Sequence, residues 1–562
     1  MKLYGVNVEE KRQILLKSDA SKPIIDTVIK RADEAIDTEY KALKISDYML
    51  FIQTGDRKVF EREYFKRRNN CSYLLVAYWL TNDEKYKKPL EDLIFFICDE
   101  YTWCLPAHAG LENSPASGHT IGAIDLFQSE TARLLTDIHV ILGEKLSYYV
   151  DDRIEYEIRR RIIEPIKVRD YGWFRDTNNW AAVCAGGVGV AVIHYADEAE
   201  KSKILPVLDK CMEHYLSGFN DDGCCLEGSA YWNYGFGYFL LYATAVMDYN
   251  GVNMFENEKV KQIALYPQRT RMGKSKTVSF SDGGTDFITS PGAVGLLKKM
   301  YPDEIVYPPA EYLTYRGNVY SVKELLWFDT DYKADDGKYL TSFFKDSQWY
   351  VRQGEKYCFA AKGGHNDEPH NHNDIGSFMI VAGEDDIPLA DLGCAIYRKE
   401  TFDPNLRYTL LNNSSRGHSV PIINGEYQLA GRDYRAENVK AGDDFFELEL
   451  QGAYRDGLSK KIHRRFDLKE NSILLCDTFE CFENTITERM VSWTKPVICD
   501  GYVDLKSAKV MYDKEKYTAT VSKEEYRNHA DTEDVTAYLI DFEGIEGEFK
   551  VEIVPGEEGM NL

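Results

Sequence analysis

Residues 71–101 read CSYLLVAYWLTNDEKYKKPLEDLIFFICDEY. Apolar residues recur at i, i+3, i+4 and i+7 on both sides of the polar stretch TNDEKY, the spacing of two amphipathic helices joined by a short turn. A short turn makes such neighbours antiparallel. Residues 131–166, TARLLTDIHVILGEKLSYYVDDRIEYEIRRRIIEPI, repeat the design with LGEKLS as the turn. Residues 178–219, NNWAAVCAGGVGVAVIHYADEAEKSKILPVLDKCMEHYLSGF, repeat it again with YADEAEKS. Successive helical hairpins form stacked pairs, either a solenoid or a closed α/α toroid. The glycines of CAGGVGVAV at 184–192 lie inside a helical run and lack the G-x-G-x-x-G spacing. They predict close helix packing, not nucleotide binding.

The period changes after about residue 335. SQWYVRQGEKYCFAAKGG, GSFMIVAGEDDIPLADLG, DFFELELQGAYRDGLSKKIHRRFDLKENSILLCDTFE and AYLIDFEG are short runs rich in Val, Ile, Phe and Tyr, broken by Gly, Asp and Asn. Many short strands without intervening helices predict antiparallel sheets packed as a sandwich. The seam falls near 279–312. The expected fold is therefore α+β and multidomain: a helical domain over 1–320, then an antiparallel β-sandwich over 321–562, with a small C-terminal β subdomain from about 490.

A chain of 562 residues exceeds what one hydrophobic core supports, which agrees with two domains or more. Its net charge of −24 argues against nucleic acid, which needs a basic face to offset phosphate. An anionic substrate would need locally placed cations and donors. No apolar run approaches the roughly 18–20 residues of a membrane span, so no membrane partner is expected. The N-terminal MKLYGVNVEEKRQILLKSD has no apolar core typical of a secretory signal, so a cytoplasmic location is expected. Twelve cysteines, none in C-x-x-C, read as reduced thiols. The sequence leaves the oligomeric state open, with a homodimer as one outcome.

Residues 365–374, HNDEPHNHND, gather three of the chain's eleven histidines, and His418 follows. An extended 370–374 would point His370, His372 and Asp374 to one face. The H-x-H-x-D run of binuclear hydrolases wants a further His after the Asp, and residue 375 is Ile. A single zinc from His372, Asp391 and His418 is the better metal reading, since two imidazoles and a carboxylate are ordinary Zn²⁺ ligands. Composition alone does not separate metal from acid–base use. Two stretches of the helical half are also unusual. RDTNNWAAV sets Asn178 and Asn179 at a helix mouth, where Asn serves as an N-cap or offers amides to a ligand. EGSAYWNYGFGYF gathers Glu227, Tyr231, Trp232 and Tyr234, either a packing face or the aromatic–polar lining of a sugar site.

Taken in order, NNW, EGSAYWNY, HNHNDIGSF and GHSVPIINGEYQ make the chain resemble the heparinase II/III family of polysaccharide lyases and their alginate-lyase relatives. The resemblance covers roughly 70–470. It implies an N-terminal incomplete (α/α) toroid followed by antiparallel β-sheets, and cleavage of a uronate polysaccharide or oligosaccharide by β-elimination. It implies that Asn179, with Asn178, neutralises the substrate carboxylate. Tyr234 would protonate the leaving oxygen, with Tyr231 as the competing choice. His370 would abstract the C5 proton or poise the tyrosine, and Tyr408 would be a second tyrosine of the site. His372, Asp391 and His418 match the holders of a structural zinc. Glu227, Tyr231, Trp232 and Arg416 are further candidate substrate contacts. Two other readings stand beside this one. A glycoside hydrolase would draw its acid and base from Asp282, Asp286, Glu227 and Asp374. A non-catalytic glycan-binding relative would keep only the fold.

Overall fold

The computed structural model describes residues 2–109, 122–287, 289–307, 321–333, 339–383, 385–481, 485–527 and 534–556. They form two compact units. One comprises Met1–Gly218, Tyr231–Lys261 and Ile288–Ala334; the other comprises Phe219–Ala230, Gln262–Phe287 and Asp335–Leu562. Two segments of the helical half of the sequence, 219–230 and 262–287, thus belong to the second unit. Gly223 shows why: a Cβ there would lie 2.2 Å from the Gln262 carbonyl carbon. Asp222 also accepts from the Asp346 and Ser347 amides at 2.9 and 2.8 Å.

The first unit is helical. α1 (Lys58–Thr81) and α2 (Lys87–Asp99) form the hairpin read from 71–101. α1 stops because Asn82 turns left-handed at φ 52° and its N–H bonds Tyr78 O; Asn reaches this conformation more cheaply than other non-glycine residues. α3 (Leu126–Leu142) and α4 (Tyr148–Ile158) form the second hairpin, α5 (Asn179–Tyr195) and α6 (Glu198–Ser217) the third. The third turn is shorter than YADEAEKS. Asp197 and Glu200 make a reciprocal capping box that draws Glu198–Ser202 into the helix.

α5 is buried along nearly its whole length, packed by α3, α6 and α7 (Gly237–Asn250). Its glycines permit that crowding. A Cβ at Gly187 would lie 2.4 Å from the backbone oxygen of Ser129 in α3, and one at Gly189 would lie 2.4 Å from the Tyr242 ring in α7. Among the described residues, no helix is long and apolar enough to cross a membrane. The eleven cysteines whose side chains are described are free thiols.

The second unit is built on antiparallel sheets. Thr341–Phe344, Trp349–Arg352, Tyr357–Lys362, Phe378–Ala382 and Asp386–Leu389 form a five-stranded meander in sequence order. Beside it are an eight-stranded sheet, begun by Glu437–Ala441 and Phe445–Glu449, and a four-stranded one. Aromatic pairs join the five- and eight-stranded faces: Tyr350 stacks on Phe446 at 5.5 Å, and Phe359 and Phe378 meet Phe466 at 4.9 and 5.0 Å. Buried Arg464 ties the eight-stranded sheet to the four-stranded one through Asp477 and Glu488, and also takes Gly376 O and Ser419 O. The expected separate C-terminal β subdomain does not form. The last strand, Glu548–Pro555, pairs with Ile473–Cys481 inside the eight-stranded sheet, which satisfies backbone groups that a detached hairpin would leave unpaired.

Gly187→Ala should destabilise the protein by about 1–3 kcal/mol, because a methyl meets rigid backbone. The midpoint of urea unfolding measures this. Gly284→Ala, where a Cβ meets nothing within 4 Å, should leave it nearly unchanged.

Candidate active site

In the second unit, segments distant in sequence meet around Asp282, which is 4% exposed. Its Oδ2 accepts from His370 Nδ1 at 2.6 Å and from Tyr397 Oη at 2.8 Å, and its Oδ1 lies 3.1 Å from His372 Nε2. Burial alone would raise the Asp282 carboxyl, but the hydrogen bonds from the two histidines hold it well below the usual carboxylate range. The loop carrying Asp282 fits between two glycines. A Cβ at Gly228 (φ 97°) would lie 2.8 Å from Gly283 Cα, and one at Gly393 (φ 59°) 2.2 Å from Gly283 O. The glycines of EGSAYWNY and of DLGC are therefore required by both conformation and space.

HNDEPHNHND begins as a two-residue strand, His365–Asn366, paired with Gly431–Arg435, and then turns irregular. Separating His370 from His372 requires a break in the strand, and the left-handed residue is His370 itself, φ 56°. A non-glycine residue held there stores strain of the kind that collects at functional sites. The result is unequal exposure: the His370 side chain is 27% exposed and that of His372 0%. Beyond its bond to Asp282, His370 faces Glu227, with Nε2 3.6 Å from Oε1. Burial lowers the His370 pKa, but the Asp282 hydrogen bond and the Glu227 charge outweigh it and raise it overall. Burial pushes the Glu227 carboxyl up. Arg407 donates to Asn371 O at 2.8 Å and is the cation acting on His370.

Behind His370 lies a group able to hold a metal. His372, Asp374 and His418 are buried, and each can offer one ligand atom within 4.8 Å of the others. His372 Nδ1 and Asp374 Oδ2 are buried without a hydrogen-bond partner, as atoms awaiting an ion would be. Two imidazoles and a carboxylate are a donor set that zinc takes, and His418 would have to release Nε2 from Asn412 O, 2.8 Å away, to join it. Asp374 takes a place in this group that the sequence reading gave to Asp391. The Asp391 carboxylate accepts from Ser377 Oγ at 3.0 Å, lies 2.9 Å from His418 Nδ1, and takes the Gly393 N–H at 3.2 Å. Buried Lys362 holds the other oxygen of Asp374 at 2.8 Å.

In the first unit Asn178 is the N-cap of α5, its side chain accepting from Trp180 N at 3.0 Å. That use occupies its carbonyl oxygen. Asn179 is 8% exposed, and its amide bonds no described residue. Tyr234 sits in a π-turn, Trp232–Phe236, entering α7; such turns collect at functional sites. Its hydroxyl donates to Glu130 in a short hydrogen bond. Burial first, then the Glu130 charge, keeps the phenol protonated far above its ordinary pKa. Gly235 brings this turn onto α5, since a Cβ there would lie 3.2 Å from Asn179 Cβ.

Other expected contacts fall elsewhere. Trp232 is 1% exposed and packs on Phe236, so it supports the turn and presents no face to a sugar. Tyr231 closes the short helix Ser229–Tyr231 and is half-buried. Tyr408 lies half-buried in the turn Arg407–Thr409. Arg416 is tied to Glu524 at 3.0 Å, and a paired guanidinium is a poor free contact. Three of the four hydrolase candidates are occupied: Asp282 by histidines, Asp286 by Lys276 at 2.8 Å, and Asp374 by Lys362.

No protein-family profile matches this chain, and no curated protein matches it. Solved structures do. A heparan sulfate lyase from Pedobacter heparinus superposes with a TM-score of 0.62 at 12% identity, covering 99% of this chain and 88% of that one. A heparinase III gives 0.65 at 12% identity over 100% and 87%. A chondroitin AC lyase from Streptomyces coelicolor A3, in complex with chondroitin sulphate, gives 0.58 at 10% identity over 99% and 83%. The fold is that of a heparinase-like polysaccharide lyase.

Within this lyase-like fold, sequence reading missed Glu130, Tyr397 and Arg407, and took Asp282 only as a hydrolase candidate. Arg407 directly precedes Tyr408, the residue that the resemblance picked out. Glu130 lies in an ordinary helical run and carried no signal. Trp232→Ala should cost about 3–5 kcal/mol of unfolding free energy, as for other buried aromatics. Tyr231→Ala should cost much less, and parallel denaturation curves compare the two.

Proposed function

We propose that the protein is a polysaccharide lyase that cleaves a uronic-acid glycan by β-elimination. The observation that carries this reading is the protonated Tyr234 phenol, bonded to Glu130, in a turn whose Gly235 packs on Asn179, a residue whose amide bonds no described residue. The C5 proton of a uronate is hardly acidic while its carboxylate is charged. Asn179 donates to that carboxylate and stabilises the enolate-like intermediate. His370 takes the proton: Asp282 accepts from its Nδ1–H, which puts the lone pair on Nε2, the nitrogen that faces Glu227. The electron pair of the C5–H bond becomes the C4–C5 double bond, the C4–O4 bond breaks, and Tyr234 protonates O4. Solvent then takes the proton from His370 and returns one to the phenol.

A glycosaminoglycan-like uronate chain or oligosaccharide is the proposed substrate, in keeping with the glycosaminoglycan lyases that share the fold. The helical hairpins are read as an incomplete (α/α) toroid and the site of action as the cytoplasm. One zinc is proposed, held by His372, Asp374 and His418 with Asp391 against His418. It would cross-link the strands behind His370 and take no part in proton transfer.

A panel of uronate glycans, followed by the ultraviolet absorbance of the unsaturated uronate product, tests the reaction; hydrolysis gives no such product. Tyr234→Phe should lower kcat by about 100-fold or more while the fold is kept. Near-parental turnover would remove Tyr234 from the mechanism. Asn179→Asp should be worse than Asn179→Ala, because it sets a negative charge against the substrate carboxylate.

Elemental analysis tests the zinc. About one zinc per chain is expected, lost in His372→Ala and kept in His370→Ala, with chelation lowering Tm. A metal-free protein of unchanged Tm would make these histidines ordinary hydrogen-bonded residues.

A further inference from the structure

We propose that an aromatic-walled cavity in the helical unit binds an aromatic carboxylate, at a site separate from the residues assigned to catalysis. The proposal goes beyond the lyase reading and does not depend on it. The cavity holds about 930 Å³, near the upper end of the roughly 300–1,000 Å³ of small-ligand sites. It lies wholly within the first unit, among the short helix Ile45–Thr54, the chain leading into that helix, and the α1–α2 hairpin.

Five rings line it: Tyr40, Tyr48, Phe60, Phe96 and Tyr101. Two of them are pinned by their hydroxyls. Tyr48 donates to Cys104 O at 3.2 Å and meets Phe60 edge-on at 5.0 Å. Tyr40 accepts from Asn70 Nδ2 at 2.9 Å, and its ring lies 6.4 Å from that of Phe96. Phe96, Tyr101 and Ile45 are exposed, so the cavity opens to solvent. Fixed rings favour a flat aromatic body over a flexible alkyl chain, because offset and edge-on ring pairs gain more than area burial alone.

Charge selects the head group. The wall carries Lys44 and Arg67 against Asp99 and Glu100. Both carboxylates are engaged by arginines outside the wall: Asp99 lies 3.1 Å from Arg153, and Glu100 lies 2.7 Å from Arg68. Glu100 also takes Arg67 at 3.1 Å. Arg67, Arg68 and Glu100 are all buried, so two guanidiniums share one carboxylate away from water. Arg68 offsets part of that cost by lying over the Tyr64 ring, 3.3 Å from its centroid. Arg67 keeps a buried Nε–H with no partner among the described residues. Lys44 is exposed and forms no ion pair with any described residue, Asp47 of the same turn included. The wall is therefore locally positive in a chain whose net charge is −24, and an anionic head group is what compensates it.

Calorimetry on the full chain with biphenyl-4-carboxylate, biphenyl-4-carboxamide and dodecanoate tests this. The aromatic carboxylate should bind at one site per chain, about tenfold or more tighter than the carboxamide and more tightly than dodecanoate. Lys44→Glu should weaken the carboxylate by about fivefold or more and leave the carboxamide unchanged. Met49→Trp, which sets a ring inside the cavity, should abolish binding of both. Ala42→Trp, at an exposed position of the same wall, serves if that variant does not fold. No saturable binding, equal affinities for carboxylate and carboxamide, or tighter binding of dodecanoate overturns the proposal. Parental affinity for the carboxylate in Lys44→Glu or in the filled cavity overturns it too. None of these positions belongs to the proposed catalytic set, so the outcome stands apart from that of the lyase assays.

Discussion

A buried carboxylate must be paired, and in the second unit that requirement falls on Asp282. Burial of an unpaired charge costs several kcal/mol, so Asp282 persists only with donors brought to it. Two histidines of one irregular segment and the hydroxyl of Tyr397 supply them. The same contact fixes the ring of His370, sets its tautomer and holds its backbone at a positive φ. Gly228 and Gly393 follow from the same constraint, because any side chain would push the Asp282 loop away. The histidine-rich segment is thus shaped by a residue nearly ninety positions upstream.

The two units treat charge in opposite ways. Around Asp282 an anion is stabilised by donors, which makes a neighbouring imidazole more basic. Around Tyr234 burial and Glu130 favour the protonated phenol. The imidazole is thus biased toward taking a proton and the phenol toward keeping its own. Asn179 is the neutral member of the set. Its amide bonds no described residue, and the adjacent Asn178 caps the helix end.

The sheets supply rigidity around Asp282. Arg464 is wholly buried and reaches backbone oxygens at Gly376 and Ser419, the residues that lead into the strands flanking the metal group. Its two carboxylate partners belong to different sheets. One guanidinium with five donors in a plane can satisfy such a junction, and a lysine could not.

The sequence by itself determined the helical hairpins, the change to strands near 335 and the use of the glycine run, because each depends on local periodicity or on residue size. The left-handed end of α1 and the capping box of α6 are equally local. It also singled out Asn179, Tyr234 and the histidines as candidates, because unusual side chains cluster around each. Only tertiary structure decided which of them have partners. Asp374 displaced Asp391 in the metal group, Trp232 turned inward, Arg416 was consumed by Glu524, and Glu130 and Asp282 acquired roles no neighbouring residue announces. The physical reason is common to all four: burial and pairing are set by residues far away in the chain, and pattern along the chain carries no record of them.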